Sequence, residues 1–304
     1  EGVALYNPEC EAFEGSDEDG SLIGVIITDY YPRDSKRAGA WMTNFVSQYK
    51  TPAGRNVRPV IVNVGNFNKP TAETPSLLTI DQVQTMFHEL GHALHGLLSQ
   101  CTYMGLSGTS VKRDFVELPS QINENFAFQP VLLQEYARHY ETGEVIPQEL
   151  VDRLLAARTF NQGFRTTELA AASVLDMYWH ELSEIPADAD AQWVRDTEKA
   201  FCQKMGLIDE IIPRYRTSYF NHIFNSGYSA GYYSYIWAEV LDCDAFQAFK
   251  ESGDIFNPEV AARFRKYILS PGGIDKGSVM YRNFRGRDPK PEALLKKLGI
   301  RKVR

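Results

Sequence analysis

The sequence predicts a mainly α-helical protein with a small β-sheet, and three observations carry that expectation. Residues 21–31 (SLIGVIITDYY) and 58–67 (RPVIVNVGNF) are rich in Val, Ile and Tyr and are bounded by Gly, Asp and Pro, as strands are. After Pro75 apolar residues recur at helical spacing and few β-branched runs remain. The first of those helical stretches contains His88-Glu89-Leu90-Gly91-His92, so an HExxH pattern rides on a helix.

In chain order, residues 36–49, with Gly39, Ala40, Trp41 and Met42, read as a turn or short helix between the two strands. The first long helix begins after Thr79, whose hydroxyl caps the opening turn while Gln82 reaches back to it, and runs to about Gln100. A Gly- and Ser-rich connector, residues 104–110, leads to a second capping pattern, Asp114-Phe115-Val116-Glu117, and a helix through His139. Pro119 and Pro130 should end, start or kink it locally. Further helices are expected over 148–182, 190–205, 229–250, 258–269 with Pro258 at the first position, and 291–298 closed by Gly299. With no internal repeat and no low-complexity linker, one compact unit is expected.

The 304 residues and 43% hydrophobic content support a substantial core. A net charge of −7, with basic clustering confined to Lys296-Lys297 and Arg301, Lys302 and Arg304, speaks against nucleic acid or an anionic membrane as partner. Cys10, Cys101, Cys202 and Cys243 are far apart and lack CxxC spacing, which suggests free thiols and a cytoplasmic, reducing setting. The longest apolar stretch, residues 22–28, is too short to span a bilayer. The chain opens on Glu1 and runs directly into a strand-like pattern, which suggests a fragment of something longer.

On a helix, His88 and His92 sit one turn apart on one face, so two imidazoles can reach one metal ion. Glu89 then stands beside the ion without ligating it, where a carboxylate can take a proton from metal-bound water. Three of the six histidines fall between positions 88 and 95, which argues against chance, although His95 reads as a packing or hydrogen-bonding residue. A catalytic zinc needs a third protein ligand. Asp114, Glu117 and Glu124 are the candidates, and spacing does not choose among them. Farther on, His222 is followed by Tyr228, Tyr232, Tyr233 and Tyr235 around Gly227 and Gly231. Spacing alone makes this a packing stripe, yet glycines allow a mobile loop and phenol or imidazole donors suit a developing oxyanion.

The segments HELGHALHGL, SGTSVKRDFVELPSQINENF and HIFNSGYSAGYYSYIWAEV closely resemble the thimet-oligopeptidase-like zinc metallopeptidases and, within them, bacterial peptidyl-dipeptidases. DYYPRDSKRAGAWM and FRGRDPKPEALL extend that resemblance over nearly the whole chain. The resemblance implies a zincin-like catalytic domain over residues 1–304 that holds one Zn2+ ion through His88, His92 and Glu117, with Glu124 as a supporting partner. It also implies Glu89 as general base and His222, Tyr228 and Tyr235 as substrate and transition-state contacts, with Tyr232 and Tyr233 less central. The implied reaction releases dipeptides from the carboxy terminus of short peptides. Alternatives are internal cleavage of short peptides, as in an oligopeptidase, or a catalytically silent zinc-stabilised binding fragment. The family also has an amino-terminal helical region, absent here, that forms the opposite wall of its channel. Gripping a substrate carboxylate calls for a fixed cation, for which Lys112, Arg113, Arg282, Arg285 and Arg287 are candidates. Residues 105–109 are a candidate flap over the substrate.

Overall fold

The chain folds around one helix laid across a small sheet, as the computed structural model shows for residues 4–300. The tail residues Arg301, Lys302 and Arg304 lie outside the described residues. The strands are β1 (Glu11–Ser16), β2 (Leu22–Asp29), β3 (Trp41–Val46), the two-residue pair β4 (Tyr49–Lys50) and β5 (Asn56–Val57), and β6 (Val60–Val64). Four of them form a mixed sheet in the order β1-β2-β6-β3, with β2 and β6 parallel and both outer strands antiparallel to their neighbours. The expected strands at 21–31 and 58–67 are therefore the parallel pair at its centre. The turn or short helix expected over 36–49 is instead β3, whose Trp41 and Thr43 register against Val64 and Val62. Strand β1 escaped notice because its residues, EAFEGS, are mostly exposed at a sheet edge and carry little apolar alternation.

Helix α1 (Ile80–Leu97) starts as expected: Gln82 N–H donates to the Thr79 hydroxyl, and Thr79 N–H donates to the Gln82 side chain. Its Ala93 and Leu97 bury against Ile61, Ile23, Ile26 and Met42 of the sheet, a contact contributing roughly 1.5–3 kcal/mol per large side chain. The single helix expected from Asp114 to His139 is three pieces: α2 (Arg113–Val116), α3 (Leu118–Ala127) and α4 (Pro130–Tyr136). Asp114 does not cap it; Lys112 occupies the N-cap position. Pro119 and Pro130 stand in the opening turns of α3 and α4, where a missing N–H costs nothing.

Helix 148–182 also divides, into α5 (Gln148–Ala157) and α6 (Gln162–Glu181), at Asn161, which takes a left-handed φ of 54°. Helix α7 (Ala191–Lys204) is capped by Asp190, and the short α8 (Asn221–Asn225), not foreseen, precedes α9 (Ser234–Glu251). Helix α10 (Pro258–Phe264) continues as a π-helical turn over Arg265–Leu269. The unforeseen α11 (Gly277–Arg285) and then α12 (Glu292–Lys297) complete the chain, with Gly299 left-handed behind α12. The largest core unites Phe115, Leu118 and Ile122 with Leu241, Phe246, Tyr281 and Phe284, fixing α2 and α3 against α9 and α11.

Two features of this frame position the site. Helices α1 and α3 touch so closely that a Cβ on Gly91 would lie 2.3 Å from the Pro119 carbonyl oxygen, so only glycine fits there. After β2, the buried Lys36 ammonium donates to the main-chain oxygens of Asp29, Tyr31 and Gly65 at 2.9, 2.6 and 2.9 Å and pairs with the Asp29 carboxylate at 2.7 Å. Burial would raise the Asp29 carboxyl, but Arg33 and Lys36 outweigh it and bring it down to about 2. This knot delivers residues 37–42 to the lip of the cleft described next. The four cysteines are free thiols, and none of the described helices is long and apolar enough to cross a membrane.

Candidate active site

Helix α1 turns His88, Glu89 and His92 toward the start of α3, where Glu117 joins α2 to α3 with near-helical backbone angles. Glu117 Oε2 lies 3.3 Å from His88 Nε2 and 3.1 Å from His92 Nε2. One ligand atom from each of the three residues lies within 4.8 Å of the other two. The other candidates separate here. Glu124 faces the far side of His88, its Oε1 2.6 Å from Nδ1, while Gln84 Nε2 donates to Glu124 Oε2 at 2.5 Å. Asp114 is not part of the cluster and lines a different cavity.

The electrostatics match the geometry. Burial alone would raise the Glu117 carboxyl, but the His92 and His88 imidazoles outweigh it and hold it well below the carboxylate range. Burial likewise opposes charge on His88, and Glu117 and Glu124 override it, pushing that imidazole well above its usual value. A buried carboxylate that demands positive charge where two imidazole nitrogens converge is a donor set that a divalent zinc ion fits. Glu89 is buried beside the cluster, with Oε2 lacking a hydrogen-bond partner among the described residues, and burial raises its carboxyl above the usual range. Burial is the direction that makes a carboxylate a better base.

The opposite wall is aromatic. Tyr228 donates a short hydrogen bond to Glu117 Oε1, while the Ser120 hydroxyl donates to Oε2 at 2.9 Å. The Tyr228 and Tyr235 rings stack with centroids 5.2 Å apart and planes 15° apart, and His222 sits 6.0 Å from Tyr228 by the same measure. Burial, reinforced by Glu117, keeps both phenols protonated, and burial together with Arg214 lowers His222. These groups therefore stand as neutral donors around the cluster. Tyr232 is instead packed in the core with Phe220 and Ile223, and Tyr233 is exposed.

His88, His92, Glu117, Glu89, His222, Tyr228 and Tyr235 line one cleft of about 520 Å³. Its remaining lining includes Thr109, from the expected flap, and residues that spacing did not single out: Arg37 to Met42, Asn221 and Ser226. The sequence signals for the Arg37 to Met42 group were its small residues, Ala38-Gly39-Ala40, set between Arg37 and Trp41, and its place in the DYYPRDSKRAGAWM segment that carries the family resemblance. Among the five basic candidates, Arg113 reaches this cleft: its Nε donates to the Gly227 carbonyl at 3.0 Å and its guanidinium lies 4.7 Å from the Tyr228 ring centroid. Lys112 lines a larger cavity of about 1050 Å³ across α2 that contains none of the cluster residues. Arg282 pairs with Asp288, Arg285 with Glu251, and Arg287 with Asp244.

His95 is a packing residue: fully buried, it has no hydrogen-bond partner at either nitrogen among the described residues, and burial pushes its imidazole down to about 3. The flap expected over 105–109 is pinned. Gly108 N–H donates to Ser99 Oγ at 3.0 Å, Gly273 N–H donates to the Leu106 carbonyl at 2.7 Å, and Ser107 and Gly108 are buried.

Residues 3–300 match the profile described as Peptidase family M3. The chain is 44% identical over 299 residues to the dipeptidyl carboxypeptidase of Escherichia coli (strain K12), covering 98% of this chain and 43% of that protein. It is 39% identical over 300 residues to oligopeptidase A of the same organism, covering 98% of this chain and 44% of that one. The chain thus spans less than half the length of these curated relatives. A solved structure titled "BsuCP Crystal Structure" shares the fold at a TM-score of 0.52 and 16% identity, over 83% of this chain and 52% of that one.

Proposed function

We infer the activity from one premise: the chain belongs to peptidase family M3. The reading is a zinc-dependent peptide hydrolase with a zincin-like catalytic domain, and the convergence of His88, His92 and Glu117 within 4.8 Å carries it. His88, His92 and Glu117 are the residues that would hold one Zn2+ ion. When bound, zinc supplies Lewis acidity to a scissile carbonyl and acidifies water.

The protein groups do the rest. Glu89, raised by burial, accepts a proton from the attacking water and passes it to the departing amine. Tyr228, Tyr235 and His222, neutral and within one cleft, donate to the oxyanion that forms on the former carbonyl. Glu124 holds His88 by its Nδ1, which leaves Nε2 facing Glu117 and free to ligate. The substrates are short peptides entering the cleft between the 37–42 lip and the tyrosine wall, and Arg113 is the basic residue placed to grip a peptide carboxylate. Dipeptide release is supported by the 44% identity to a dipeptidyl carboxypeptidase, and the 39% identity to oligopeptidase A supports internal cutting. The relatives are more than twice as long as this chain, which supports the further helical region that the family resemblance implies as a second wall of the channel, and the four free thiols suit a reducing cytoplasm.

The test is metal analysis together with product masses from short peptides, free and carboxy-terminally blocked. Chelation abolishes cleavage and added zinc restores it. Glu89→Gln retains the parent's metal and loses turnover by about 10²–10⁴-fold. Dipeptides released only from the free peptide support a dipeptidyl carboxypeptidase, whereas internal cuts in both identify an oligopeptidase. Cleavage that survives chelation overturns the mechanism.

A further inference from the structure

The group that holds the tyrosine wall in place lies far from the cluster in the chain. Helix α6 carries Asp176, fully buried, and its carboxylate faces main-chain amides rather than a lysine or arginine. Ala230 N–H donates to Oδ1 at 2.9 Å and Tyr232 N–H donates to Oδ2 at 2.8 Å. One turn along α6, His180 Nδ1 lies 2.9 Å from Asp176 Oδ1 and 2.9 Å from its main-chain oxygen. A buried carboxylate without such donors is strongly disfavoured, so the contact fixes both partners.

The segment so held is conformationally unusual. Ala230 has a φ of 49°, and Asn161 is the other described non-glycine residue at positive φ. Side chains resist that region unless the surroundings impose it. Here one carboxylate gathers the amides on either side of Gly231, which bends the chain between Tyr228 and Tyr235. The same helix packs Ala172 against Phe220, Ile223, Tyr228 and Tyr232. Helix α6 is thus the platform under the tyrosine wall, and Asp176 is its polar attachment point.

We propose that Asp176, oriented by His180, is a positioning residue that sets Tyr228 and Tyr235 over the metal cluster. The role rests on the peptidase reading, because those phenols matter only as donors to the reacting carbonyl. It differs from a merely structural role in what its loss changes: the rate should fall while metal and substrate affinity stay.

The test uses the full-length protein with Asp176→Asn, which keeps size and removes the charge. Amide exchange at Ala230 and Tyr232 accelerates about tenfold or more, zinc content matches the parent, and kcat falls about 100-fold with KM within about threefold. Parent-like exchange at both amides overturns the proposal, and so does an unchanged kcat when those amides have loosened. Should Asp176→Asn fail to fold, His180→Gln keeps the carboxylate; it loosens the same two amides by a smaller factor, and parent-like exchange there overturns the proposal. If the parent itself cleaves no peptide, the proposed reaction fails, and amide exchange still decides whether Asp176 anchors the segment.

Discussion

On one wall of the cleft, His88, His92 and Glu117 are fixed by α1 and α3, two helices in contact along a seam that admits no side chain at Gly91. On the other wall, Tyr228, Tyr235 and His222 belong to a glycine-bearing segment whose place depends on partners far away in the chain: Arg113 for Gly227, Glu117 for Tyr228, and Asp176 for Ala230 and Tyr232. The first wall is set by helical spacing and close packing, and on the proposed reading it determines where a cation would sit. The second is set by long-range hydrogen bonds, and on the same reading it acts on a substrate brought to that cation. Substitutions in the first should therefore be read in metal affinity, and substitutions in the second in rate.

Glu117→Ala breaks the comparison most severely, because Glu117 belongs to both walls. It removes one of three ligand groups and also the acceptor of the Tyr228 hydroxyl. Metal content after dialysis should fall from one ion per chain to a trace, and cleavage with it. Parent-level metal in this variant would refute the ligand set.

Tyr228→Phe probes the second wall alone. Metal content should stay at the parent level, while kcat falls about 10²-fold, the loss typical of one oxyanion donor. If instead kcat holds and zinc binds more weakly, the Tyr228 hydroxyl serves only to orient Glu117, and the division of labour between the walls is wrong. Measuring both quantities on one preparation separates the outcomes.

The same contrast explains what could be read ahead of the coordinates. Helix α1 was legible because its signals are local: the Thr79–Gln82 capping box and an HExxH repeat matched to the helical turn. Spacing alone left Asp114, Glu117 and Glu124 undivided, because their difference is tertiary; Glu117 meets both imidazoles and Glu124 meets the far side of one. Strand β3 was misread because Gly39 and Ala40 at its start suggest a turn, whereas pairing with β6 decides its conformation. The break at Asn161 was hidden because α5 and α6 carry apolar residues in a similar period, and a left-handed Asn leaves no pattern. Helix α11 opens on Gly277, a poor helix former, and the reason is again tertiary: a Cβ there would meet the Phe115 ring at 2.5 Å. Asp176 and His180, four apart on a helix, carry no local signal of their role, because the amides that Asp176 holds, at Ala230 and Tyr232, lie more than fifty residues along the chain.

Glu124→Gln is the mildest test and the sharpest about the first wall. Glu124 is not a member of the cluster; it holds the nitrogen of His88 that points away from the cluster, and Gln84 holds Glu124 in turn. A carboxylate there fixes the ring orientation and makes the imidazole a stronger donor, and losing such a partner typically weakens a metal site about 10–100-fold. Glutamine keeps an oxygen that can accept from His88 Nδ1 but sheds the charge, so the expected effect lies near the lower figure, about tenfold in zinc affinity by chelator competition. His92 offers a built-in control, since its Nδ1 has no partner among the described residues. If Glu124→Gln leaves affinity unchanged, His88 is held as His92 is, by packing alone, and the rigidity of this wall derives from the α1–α3 seam rather than from the carboxylate behind the ligand.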